Sequence, residues 1–209
     1  MTVHRVPGEH PAPPVFAAAV AALRDVRLRS EIVLTEVPAP ARIAPFAVSL
    51  AGDVFATGRS TEGAPGGPEG QEPDELATGR FILLHDPSAP PEWGGTFRVV
   101  TYVRADLEAE MGTDPMLGQV GWSWLEEGLA MSGAGASEVG GTVTRVLSEG
   151  YGVLAQRPPS VDVELRASWT PHEPLDVTAH LQAWGVLVCT VAGLPPLPAG
   201  VTSLGRRTR

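Results

Sequence analysis

The chain has 209 residues, 43% of them hydrophobic and 19% charged, which suits one sizeable core and excludes wholesale disorder. Its net charge of −9 has the wrong sign for non-specific attraction to nucleic acid or to an anionic membrane. All 15 basic residues are Arg and there is neither Lys nor Asn, so Schiff-base lysine catalysis, the lysine of a phosphate-binding loop and N-glycosylation are excluded.

In chain order, residues 1–11 read as a loose tail and residues 12–200 as one domain. A helix is expected over 13–29, where Pro14 suits the first turn and Phe16, Val20, Leu23 and the stem of Arg27 follow helical spacing. The apolar stretch Val15–Leu23 is too short to cross a membrane. It follows Glu9 and several prolines and runs into charged residues without a clean cleavage site, so it reads as the first helix of a cytoplasmic protein and not as a signal peptide. Residues 30–37 are β-branched enough for a short strand, which Pro38-Ala39-Pro40 stops. Phe46, Val48 and Leu50 alternate with small residues, a strand pattern.

Residues 57–78 hold five Gly and three Pro with Leu76 as their only large apolar residue, and are expected to be a mobile insertion. The run Phe81–Leu84 reads as a buried strand, and the alternation from Phe97 to Arg104 as another. Asp114-Pro115 is expected to open a helix reaching Met131, with Leu117, Val120, Gly121, Trp124, Leu125 and Gly128 as its stripe. A small-residue loop is expected over 132–141, a strand over 142–147 and a clean half-buried strand over 161–169. A last helix runs over 175–191, although Trp184–Val191 is β-branched enough for a strand as well, and an extended Pro-rich segment follows before the basic tail 201–209.

The order strand, strand, helix occurs twice at an offset of 62 residues, which lays Gly79 on Gly141, Val99 on Val161, Asp114 on Asp176 and Trp122 on Trp184. The fold class expected is therefore α+β: an antiparallel sheet with two helices on one face from a β-β-α duplication, plus the N-terminal helix packed alongside.

Candidate chemistry is sparse. The single Cys189 lies in an apolar run and reads as a buried hydrophobe, and the five His show no metal-ligand spacing. Asp106, Glu108 and Glu110 near Asp114 match no ion-loop pattern and read as solvated charge, so no metal and no cofactor is expected. No Ser lies in a Gly-x-Ser-x-Gly frame. His85-Asp86 at a strand end is a candidate acid/base pair, and the alternative reading makes Asp86 a turn cap and His85 a strand residue. His172-Glu173 holds the corresponding place after the later strand. Arg98, Arg104 and Arg166 fall on outward strand faces, as a solvated ladder with Asp162 and Glu164 or as a docking face for an anion or a protein. On the helix opened by Asp114, Trp122 and Trp124 point about 200° apart. Trp122 therefore leaves the stripe and calls for a second cover, either the N-terminal helix or another copy in a homodimer.

Four stretches carry a family resemblance: residues 38–45 (Pro-Ala-Pro-Ala-Arg-Ile-Ala-Pro), residues 79–87 (Gly-Arg-Phe-Ile-Leu-Leu-His-Asp-Pro), residues 120–125 (Val-Gly-Trp-Ser-Trp-Leu) and residues 183–198, from Ala183-Trp184-Gly185 to Pro198. Over about 28–200 the chain resembles a family of actinobacterial proteins known as a domain of unknown function. The resemblance implies kinship and a cytoplasmic location, and it supplies no activity, cofactor or catalytic residue.

Two functional readings follow. The first is a non-catalytic module binding a protein partner or small ligand, with Arg42, Arg98, Arg104, Arg166 and Trp122 as candidate contacts. The second is a small-molecule enzyme using His85 and Asp86, with Arg42. An enzyme is expected to bring His85, Asp86 and Arg42 together in a concave pocket, and a binding module to expose an apolar patch.

Overall fold

The computed structural model describes residues 4–5, 11–56, 74–107, 109–112 and 114–194. Their elements, in chain order, are β1 (His4–Arg5), α1 (Pro14–Asp25), β2 (Ile32–Val37), β3 (Phe46–Phe55), β4 (Glu75–His85), β5 (Phe97–Leu107), a single turn α2 (Ala109–Gly112), α3 (Leu117–Met131), β6 (Ala136–Ser148), β7 (Ser160–Pro171) and α4 (Val177–Val191). The strands form one antiparallel sheet in the order β3-β4-β5-β7-β6, and β1 and β2 both lie along the outer edge of β3. The chain meanders from β2 to β5, crosses over through α3 to the far edge at β6, and returns as β7 into the slot beside β5.

The helices lie on one face, with α4 between α3 and α1. This is the α+β arrangement expected from the sequence. Alternation decides which residues meet the helices. Phe81 and Leu83 on β4, Val99 and Val103 on β5, and Val163, Leu165 and Trp169 on β7 join the main core. α4 is apolar almost all round because it is flanked by helices and floored by β4 and β5. Asp176 caps it, its carboxylate accepting from the amides of Thr178 and Ala179. Trp184 is fully buried, and the sheet makes room for its indole with Gly52 and Gly79: a methyl at either would come within 2.5 and 3.1 Å of that ring. Cys189 is buried, and burial pushes its thiol up to about 11.

Several boundaries differ from the sequence expectation. Of the insertion expected over 57–78, residues 57–73 lie outside the described residues, while Glu75–Thr78 belong to β4, with Ala77 and Thr78 paired to both β3 and β5. Thr78 also donates to Asp53 at 2.7 Å. The loop expected over 132–141 is strand from Ala136 onward, with a bulge between Ser137 and Gly140 where Glu138 takes a positive φ of 50°. α3 begins three residues after Asp114, whose carboxylate accepts from the amide of Met116 inside a turn. The tails expected over 1–11 and 201–209, and the Pro-rich segment from Pro195, lie largely or wholly outside the described residues.

The two strand-strand-helix runs occur in the same order, yet their registers differ. Gly79 pairs with Val103, whereas Gly141, its match at the offset of 62, pairs with Ala167. The partner of Leu165, which corresponds to Val103, is Val143. The two hairpins are thus slid by two residues relative to each other.

Candidate functional site

The face of the sheet away from the helices is largely open, and its side chains form cross-strand rows. One row reads Arg80, Tyr102, Arg166 and Thr142 across β4, β5, β7 and β6. The next reads Ile82, Val100, Ser168 and Gly140. Together they line an open groove of about 460 Å³. The second row is its floor, low and partly apolar because Gly140 contributes no side chain and Ser168 a short one. The first row is a wall that presents two guanidiniums. Arg166 lies over the Tyr102 ring, 5.3 Å from its centroid, and donates to Glu164 at 3.0 Å. Glu164 also accepts from the Tyr102 hydroxyl at 3.2 Å. Burial, and then Glu164, push the Tyr102 phenol up, so it stays a donor at neutral pH. Arg80 is exposed and has no ion pair among the described residues.

On the side of the floor toward the sheet end stands Arg98, half-buried, donating to Ser168 at 2.7 Å and Thr170 at 2.9 Å. Thr170 in turn donates to the carbonyl of Trp93, and Trp93 packs with Ala39 and Ala44 over Ala47, Ile82 and Leu84 in a second, small apolar cluster. That cluster closes one end of the open face, and the groove runs from it toward the β6 edge. On the other side, Arg104 pairs with Asp162 at 2.6 Å. Asp106 is pushed up, first by the hydrogen bond it shares with Asp162 and then by burial, while the bonds from Asp106 and Arg104 hold Asp162 low.

The three arginines read from strand parity thus lie on the same face in different company. Arg104 is engaged across the β5–β7 pair by Asp162, Arg166 by Glu164 two residues earlier on its own strand, and Arg98 by hydroxyls. Arg42 is exposed, at φ 68°, in the connection between β2 and β3. Trp122 is half-buried on α3, its indole N–H donating to Glu126 at 2.9 Å. α1 packs against α4, and Trp122 packs against the main core that these helices share.

His85 points under the helices and is 2% exposed. Its ring stacks on Phe97 at 4.3 Å and lies about 6 Å from the rings of Phe16 and Phe46. Nδ1 lies 3.0 Å from the carbonyl of Thr96, an acceptor only, so Nδ1 carries the proton. Nε2 is buried without a partner among the described residues, and burial lowers the imidazole's pKa. Asp86 accepts from the amide and hydroxyl of Ser88 at 2.9 and 2.7 Å, closing the turn after β4. No contact joins His85 and Asp86 to Arg42 among the described residues. His172 is exposed, at the same end of the sheet as His85 but beyond β7.

Sequence reasoning missed Arg80, Tyr102, Ile82 and Thr142 as neighbours. Parity along 79–84 and 97–104 was sufficient to put Arg80 and Tyr102 on outward faces, but the register that aligns them is a property of the pairing. It also missed the buried pair Trp169 and His180. The indole N–H, which only donates, reaches Nδ1 of His180 at 3.1 Å, so that imidazole carries its proton on Nε2, and burial pushes its pKa down to about 4. Among the described residues there is no cluster of His, Cys, Asp and Glu able to hold a metal, and no helix long and apolar enough to cross a membrane.

A family model described as a protein of unknown function (DUF3000) matches residues 12–202. No curated protein and no solved structure matches the chain.

Proposed function

We propose that this chain, which belongs to the DUF3000 family, is a non-catalytic cytoplasmic binding module whose ligand lies in the groove on the open face of the sheet. The observation that carries the reading is the row Arg80–Tyr102–Arg166 standing beside the apolar floor of Ile82 and Val100. Two guanidiniums from the strands that flank Tyr102, one of them lying over its ring, suit an anion, and a partly apolar floor suits the body that carries it. The ligand class is a small molecule with a carboxylate, sulfonate or phosphate on a planar apolar frame. In a chain of net charge −9, a local cluster of Arg is the feature that selects such a ligand against the general field. The repeated order of strand, strand and helix supports a duplicated origin, and the groove then lies across both copies.

The test uses anilinonaphthalene sulfonate, an anion on a flat apolar frame, as a fluorescent probe. Saturable binding to the folded chain near one equivalent is expected, weakened about tenfold or more by Arg80→Gln with Arg166→Gln. Arg42→Gln, outside the groove, is expected to leave it unchanged. Equal loss with Arg42→Gln, or no loss with the groove variants, rejects the reading.

A further inference from the structure

We propose that β6 is the interface of a homodimer, in which the β6 strands of two copies pair antiparallel about a two-fold axis normal to the sheet and join the two sheets into one. This inference is independent of the groove reading. β6 runs thirteen residues and pairs on one side only, with β7, so its outer row of amides and carbonyls has no strand partner among the described residues. Almost all of it is exposed.

Long open edges are usually blunted by charges, Pro or bulges. β6 carries its bulge before Gly140, and beyond it, from Gly140 to Ser148, the only charge is Arg145. That guanidinium is drawn in toward the α2–α3 turn, donating to the carbonyl of Asp114 at 2.6 Å. The opposite edge is built differently: β2 is six residues long and stops at Pro38.

The occupant that fits this edge is the edge itself. A two-fold axis along the sheet normal returns each face to the same side, so residues of like parity must meet. Centred on Thr144, the pairing sets Leu147, 53% exposed, against the partner subunit's Gly141 and Val146, 43% exposed, beside the partner subunit's Thr142. Bulky residues of one copy then meet glycine and threonine of the other. Two chains of net charge −9 repel at a distance, and a meeting strand without carboxylates is where they can approach.

Nine paired residues extend about 31 Å, and a sheet with one helix layer is about 20 Å deep, so each copy buries about 600 Å² and the pair about 1,200 Å², the lower bound for a specific interface. The apolar groove between α3 and the start of β6, about 570 Å³ and lined by Glu126, Leu129, Ala130 and Val139 among others, lies at the same edge.

The test is sedimentation equilibrium of the full chain from about 1 to 100 µM, a range set by an interface of this size. A dimer of the 21.9 kDa chain is expected, weakened about tenfold or more by Thr144→Lys, which sets like charges together at the axis without touching the core. Because an exposed substitution can still disturb folding, a second arm uses Thr144→Cys, expected to form a disulfide-linked dimer on mild oxidation, with Thr35→Cys on β2 as the control that does not. The native Cys189 is buried and does not interfere. A monomer throughout the concentration range, a dimer indifferent to Thr144→Lys, or equal cross-linking at Thr35→Cys overturns the proposal.

Discussion

Along β5, Phe97, Val99, Thr101, Val103 and Ala105 point under the helices and are buried, while Arg98, Val100, Tyr102, Arg104 and Asp106 point to the other side and are half-buried or exposed. The same strand thus serves two surfaces with different physics. The covered face is held by apolar area removed from water, at about 25 cal/mol per Å², and its residues are fixed by volume. The open face is held by charge pairs and hydroxyls in high dielectric, where each contact is worth little and neighbours are exchangeable. Stability therefore resides under the helices, which leaves the open face free to be shaped for recognition.

Substitutions on the two faces are expected to separate accordingly. The largest effect belongs to the covered face. Trp184 is fully buried between α4 and the glycines of β3 and β4, and Trp184→Ala is expected to cost about 3–5 kcal/mol in a denaturant titration. A loss well below that range would mean that the helices contribute less than their burial implies, and would break the contrast.

The second effect is a pH dependence, also from the covered face. His180 titrates near 6.5 when exposed and at about 4 in the fold, where burial disfavours its charged form. Between those values the unfolded chain binds more protons than the folded one. The stabilising contribution is therefore complete above the unfolded value and is lost as pH falls toward 4, by about 3 kcal/mol. Replacing His180 by Gln is expected to flatten that part of the pH profile, measured by denaturation at pH 7 and pH 4.5. An unchanged slope would assign the acid sensitivity elsewhere.

The smallest effect belongs to the open face. Arg166→Gln removes an exposed ion pair with Glu164 and is expected to change stability by less than about 1 kcal/mol, while weakening probe binding in the groove. A stability loss as large as that of Trp184→Ala would make Arg166 a structural residue and remove the contrast between the faces.

Much of the covered face was legible in the sequence. The alternation along β5 and β7 and the long helix ending at Val191 follow from local rules, since each depends on a period of two or of 3.6 residues. What was not legible is what pairing imposes. Apart from Leu76 and Val139, Glu75–Thr78 and Ala136–Gly141 are polar or small, and they extend because a neighbouring strand offers them a ladder. The groove was illegible for the same reason: Arg80, Tyr102 and Arg166 become neighbours only once three strands are in register. His85-Asp86 drew attention as adjacent letters, and the fold sends the two side chains to opposite surroundings, one among aromatic rings and the other into a turn.

The central place of α4 has a consequence for the order in which the protein is made. The meander from β2 to β5 needs α4 as its lid, yet about ninety residues separate the end of β4 from the start of α4. A ribosome adding about 5–20 residues per second takes roughly 5–20 s to cover that distance, whereas hairpins form within microseconds. For those seconds Phe81, Leu83, Val99 and Val103 belong to strands whose roof has not yet been synthesised, so the newborn chain carries an uncovered apolar face until its last helix arrives.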